Sequence, residues 1–97
     1  MNNKLLEIGK IVRPHGIKGA VKVIAYLDDV NFSIFKKIYI GNKLEIANIK
    51  KVIHLNKDAY SLAIDIIPDI ETAEKYRNQS IYIDRTEYKE FKDKIYL

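Results

Sequence analysis

"KKIYIGNKLEIANIKKVIHLNKDAYSLAIDI", residues 36–66, is rich in isoleucine, valine and tyrosine, and polar turn residues break its apolar runs into short pieces. Short β-branched and aromatic runs between turn signals read as strands, not helices. Gly41-Asn42 suits the positive φ angles of a tight turn, so a hairpin is expected between a strand at 36–40 and a long one from Lys43 to about Leu55. "NKDAY" at 56–60 supplies the next turn. Beyond it Tyr60, Leu62, Ile64 and Ile66 alternate on one side of a strand that Pro68 brings to an end. Within the long strand Leu44 and Ile46 share one parity while Ile49, Ile53 and Leu55 share the other, which requires a bulge or strong coiling.

Outward from this stretch the same grammar continues. "LLEIGKIV" at 5–12 and "AVKVIAYL" at 20–27 are strand candidates, the second with Val21, Val23, Ala25 and Leu27 on one face. After Pro68, Asp69 is placed to cap a short helix at 70–77 on which Ile70, Ala73 and Tyr76 recur at helical spacing. "SIYID" at 80–84 is a last short strand, and residues 85–97, "RTEYKEFKDKIYL", read as a linker or an edge segment. Six antiparallel strands with one short helix predict an all-β domain. A small closed barrel is favoured because closure removes exposed strand edges, with an open sandwich as the alternative.

The 97 residues make one domain. The chain has no cysteine, which excludes disulfides, thiolate zinc sites and cysteine nucleophiles and makes a cytoplasmic location the default expectation. "MNNKLLEIGK" lacks the apolar core of a signal peptide, and charges interrupt every apolar run before it reaches a membrane span, so a soluble protein with no membrane partner is expected. The formal charge of +4 is uneven: residues 1–60 hold 11 Lys/Arg against 5 Asp/Glu, and residues 61–97 hold 6 against 8. A basic first part suits a polyanion such as RNA, though solvated lysines on an ordinary surface give the same count.

Catalytic chemistry is not legible. The two histidines, His15 and His54, are far apart and share no motif spacing with a carboxylate. Asp28-Asp29 reads as the exposed end of a strand, so no metal is expected, and the glycines at 9, 16, 19 and 41 form neither a phosphate loop nor a dinucleotide fingerprint. No cofactor and no enzymatic activity are expected. The stretch that holds more chemistry than a chain reversal needs is "GKIVRPHGIKGAVKV", residues 9–23. Pro14 fixes one φ angle, and Gly16 and Gly19 permit positive φ, which describes a rigid loop. Arg13, His15 and Lys18 on it, with Lys10 and Lys22 on the flanking strands, form a candidate site for phosphates or an acidic protein surface. The alternative is that Pro14, Gly16 and Gly19 merely shape the hairpin. His54, inside a strand, is read as structural.

"IGKIVRPHGIKGAVKV", residues 8–23, resembles the opening of the ribosome maturation factor family RimM, and "AIDIIPDIETAEKYRNQSIYIDR", residues 63–85, resembles that family's second block. Two departures stand out: Ala20 where a glutamate is usual, and Asn78-Gln79 where a glycine commonly follows the helix. The resemblance implies a six-stranded barrel similar to those of translation factors over residues 1–85. It also implies that residues 86–97 are a linker and the start of a second, PRC-type barrel, with Ile95-Tyr96 in the place of a paired aromatic motif. The implied function is assistance, by binding, in assembly of the small-subunit head and in processing of 16S rRNA. The implied partners are the small ribosomal subunit, 16S rRNA and, chiefly through the second barrel, ribosomal protein S nineteen. A domain that touches no RNA and serves as an adaptor or spacer is the alternative.

Overall fold

The first strand, β1 (Leu5–Pro14), serves two neighbours in turn, and this sharing is what closes the structure. Its N-terminal half pairs with β6 (Ser80–Asp84), from Leu5 opposite Asp84 to Lys10 opposite Ser80, and its C-terminal half pairs with β2 (Val21–Ala25). With β3 (Lys37–Ile40), β4 (Glu45–Asn56) and β5 (Ala59–Ile64), the strands run β1-β2-β5-β4-β3-β6 around a closed antiparallel barrel. The computed structural model describes residues 4–16, 18–26, 32, 35 and 37–88. Leu27, Asp28-Asp29 and the tail residues Phe91, Ile95, Tyr96 and Leu97 lie outside the described residues.

Inward-facing positions from every strand make one core. Ile8, Ile11, Val21, Val23, Ile38, Ile40, Ala47, Leu62, Ile81 and Ile83 are all fully buried, and Phe32 and Phe35 join the same cluster. Burial of this apolar area, at about 25 cal/mol per Å², is the main force that holds the barrel shut. The helix α1 (Ile70–Lys75) packs against β1, where Asp69 caps it by accepting a hydrogen bond from the Thr72 amide at 2.8 Å and Ala73 is buried in the core.

The long strand differs from its expected form in three ways. The β3–β4 connection uses four residues, 41–44, with positive φ at Gly41 (74°) and Leu44 (52°), so Leu44 belongs to the turn and not to the strand. Ile46, opposite Tyr39, points outward, 58% exposed, and Ala47, opposite the buried Ile38, takes the core position. Ile53, expected on the buried parity, is 46% exposed. The expected bulge is present twice, as register shifts between Ile49 and Lys51 and between His54 and Asn56.

Two local solutions complete the frame. Asn78, in the turn that follows the C-cap residue Tyr76, adopts φ 69°, the left-handed conformation that asparagine tolerates better than most residues, and so turns the chain into β6 without a glycine. Its amide donates to Ile11 O at 2.7 Å, and the Ile11 amide donates to Gln79 O at 2.8 Å, which extends the sheet past β6. Beyond β6 the chain forms a second helical turn at 85–88, and residues 89–97 of the expected linker or edge segment lie outside the described residues. Asp84 accepts from the Thr86 amide at 2.8 Å at its start, and Tyr88 packs against the core.

Candidate nucleic-acid interface

The β1–β2 connection is a tied loop, not a loose one. The His15 amide donates to Ala20 O at 2.8 Å across its base, and Pro14 sits opposite Val21 in the ladder. Gly16 and Gly19 have φ of 82° and 86°, as a rigid glycine-shaped loop requires. Gly19 also lies against the chain that enters α1: a Cβ built on it would come within 2.8 Å of Ile67 O, Pro68 C and the Asp69 amide nitrogen. The loop and the helix cap are therefore packed backbone to backbone.

Register then explains where the cations go. Ile11 opposite Val23 and Val21 opposite Leu62 are inward pairs, so the alternate positions face out. Lys10 stands opposite Ile24, and past a bulge at Val12, Arg13 stands opposite Lys22. Lys22 is in turn opposite Ser61, and Ser61 is opposite Ile53, which makes one transverse row from Arg13 to Ile53 across β1, β2, β5 and β4. The predicted residues Lys10, Arg13 and Lys22 thus share one outer wall, with His15, Gly16 and Lys18 at its end. Arg13, Gly16 and Lys18 are exposed, while Lys10, Pro14, His15 and Lys22 are half-buried.

Like charges placed directly opposite each other in an antiparallel pair repel. Among the described residues neither Arg13 nor Lys22 forms an ion pair, and of the two glutamates on α1, Glu74 is engaged by Arg77 at 2.7 Å. That ion pair holds the Glu74 carboxyl below the usual range through its hydrogen bond from Arg77. The guanidinium of Arg77 also reaches Val12 O at 3.5 Å, at the bulge.

The sequence reading did not find the other half of this wall. A groove of about 340 Å³ runs beside the loop, with His15, Gly16 and Lys18 on one rim, Lys51 and Ile53 on the other, and Ala20, Ser61 and Ala63 between them. Lys51 and Ala63 are register partners, as are Ile53 and Ser61. The β4–β5 hairpin that carries Lys51, Ile53, Ser61 and Ala63 comes beside the loop only through the pairing of β2 with β5, so no local motif announced them. Lys51, one of two consecutive lysines brought to the surface by the β4 bulge, was the one signal available. His54 stacks on Tyr60 at 4.6 Å with 13° between ring planes, and Tyr60 meets Phe32 edge-on at 5.0 Å, in keeping with a structural role.

A six-stranded antiparallel barrel with a cation-bearing outer wall and a glycine-shaped basic loop defines the class of module. The chain belongs to the RimM N-terminal domain family, which it matches over residues 6–88. Ribosome maturation factor RimM of Clostridium acetobutylicum is 33% identical over 90 residues, covering 90% of this chain and 51% of that protein. Its counterpart in Wolbachia pipientis is 34% identical over 94 residues, covering 96% and 55%. A crystal structure from Pseudomonas aeruginosa, of a protein described as a 16S ribosomal RNA processing protein RimM, has a TM-score of 0.75 at 26% identity, over 86% of this chain and 52% of that one. The solution structure of the N-terminal domain of RimM from Thermus thermophilus, with a TM-score of 0.72 at 15% identity over 87% and 93%, supports the barrel fold. The chain spans about half the length of the curated relatives it matches.

Proposed function

We propose that this chain serves ribosome maturation in the cytoplasm by binding, without bond chemistry, and that its outer wall of Lys10, Arg13 and Lys22 with the loop residues Pro14, His15, Gly16 and Lys18 faces 16S rRNA on the assembling small subunit. On this reading residues 1–85 are the N-terminal barrel and residues 86–97 lead to a second barrel that carries the contact with ribosomal protein S nineteen. The names of the relatives supply the process. The observation that carries the site is the juxtaposition of Arg13 and Lys22, which meet no described carboxylate. Such a pair costs the free domain stability and is relieved by an anion, so it favours phosphate as the target over an uncharged protein surface.

Binding to immature small subunits, measured over a range of salt with Arg13→Ala and Lys18→Ala, tests this. Loss of each phosphate contact is expected to reduce the slope of log K against log salt by about 0.7–0.9. An unchanged affinity and slope would mean that the barrel is a spacer.

A further inference from the structure

The groove beside the loop has a chemistry that the cationic wall does not. Its floor is methyl groups and one hydroxyl, from Ala20, Ala63 and Ser61, the last 5% exposed. Its two rims carry Lys18 and Lys51, and among the described residues no carboxylate lines it. The rims are separated by the width of β5, that is by two strand spacings or roughly 10 Å. They are also fixed: the bond from the His15 amide to Ala20 O and the seat of Gly19 on residues 67–69 hold one, and the β4–β5 ladder holds the other. The volume is at the small end of the range of roughly 300–1,000 Å³ for sites that take small-molecule-sized groups.

We infer that this groove seats the base of an unpaired nucleotide, with its flanking phosphates on Lys18 and Lys51. The inference rests on the RNA reading above and deepens it. An apolar floor between two cations fits an anion that carries a flat, weakly polar body, which is what a nucleotide is. The Ser61 hydroxyl is the polar group within reach of a base edge. An extended peptide is the poorer occupant, for a reason of hydrogen bonding. Peptides gain affinity on sheets by adding to an edge, but β5 is bonded to β2 on one side and to β4 on the other and offers no edge. A paired base is excluded by geometry, because in a duplex its faces are covered by its neighbours, whereas an unstacked base presents a free face.

The test is fluorescence anisotropy on the 97-residue chain with a short single-stranded RNA of mixed sequence and a duplex of equal length. The single strand is expected to bind about tenfold more tightly, in the range set by one base contact. Ala63→Leu, which fills the floor, is expected to abolish that preference and leave duplex binding and its salt slope in place. Lys51→Ala, at an exposed position that does not endanger the fold, is expected to weaken single-strand binding selectively. Equal affinity of the unaltered chain for both RNAs, with a steep salt slope, would overturn the base seat and leave the RNA reading standing. Failure to bind either RNA would overturn both, and so would an acidic peptide such as oligoglutamate that shifts the Ser61 and Ala63 NMR signals while RNA does not.

Discussion

Asp65 clasps Asn48 with its whole side chain and its backbone. Its Oδ1 accepts from the Asn48 amide at 2.9 Å, its Oδ2 accepts from Asn48 Nδ2 at 3.0 Å, and its own amide donates to Asn48 O at 3.0 Å. The clasp sits where β5 ends and just before β4 shifts register between Ile49 and Lys51, so it fixes the point from which the bulge is counted.

These bonds, the backbone one from Asn48 first, hold the Asp65 carboxyl below the ordinary aspartate value, and the Thr72 amide does the same for Asp69. Both groups ionise more readily folded than unfolded. Their contribution is therefore complete above the unfolded value of about 3.9 and is lost as pH falls through the lower folded values. Melting temperature is expected to drop on acidification below about pH 4. Asp65→Ala should flatten part of that drop and speed hydrogen exchange at the Asn48 amide. An unchanged acid profile in Asp65→Ala would show that the clasp contributes nothing.

The two loop glycines should respond differently to the same change. Gly19→Ala brings a methyl group onto the backbone of residues 67–69, which cannot yield without moving the helix cap. Gly16 has a similar φ but nothing within 4 Å of its would-be Cβ, so alanine there costs only the left-handed penalty of about 1–2 kcal/mol. Chemical denaturation should rank Gly19→Ala well below Gly16→Ala, and equal stabilities would refute the packing of loop on cap.

Two isoleucines on neighbouring parts of the sheet make a sharper contrast. Ile81 is fully buried where β6 closes the barrel, and Ile81→Ala is expected to cost about 2–5 kcal/mol, a large share of the total for a domain of this size. Ile46 is 58% exposed, and Ile46→Ala should fall within about 0.5 kcal/mol of the parent. Urea midpoints of the two variants decide whether the outward turn of Ile46 is correct.

The opposition of Arg13 and Lys22 predicts a conflict between stability and binding. Lys22→Gln should stabilise the free domain by about 0.2–1 kcal/mol at low salt, with the gain fading as ionic strength screens the pair. The same variant should bind RNA less tightly. A thermal shift with no salt dependence would mean that the two cations do not sense each other.

Ile46 also shows where sequence reading ran out. Which parity of β4 faces the core is set by its pairing with β3, where Ala47 meets the buried Ile38 and Ile46 meets Tyr39, so the small side chain and not the large one falls inside, against the apolar pattern. Strands with stronger punctuation were legible: Leu62 and Ile64 are buried as their alternation requires, and Asp69 caps the helix. The cations of residues 10–22 were legible because one hairpin carries them. Lys51, Ser61 and Ala63 were not, since their place beside that hairpin depends on the pairing of β2 with β5, which no local pattern encodes.

The bonding of Leu5 to Asp84 has a consequence in time as well as in space. A polypeptide made from its N-terminus presents β1 long before its partner β6 exists, and β3 waits for the same strand. Until Ser80–Asp84 has emerged, two ladders remain open, and the nascent chain carries unpaired edges of the kind that recruit other chains. Closure then comes late and through distant contacts, the slow route among small domains. A chain cut short before Ser80 should accumulate as aggregate, while one that extends past Asp84 has every strand it needs to shut.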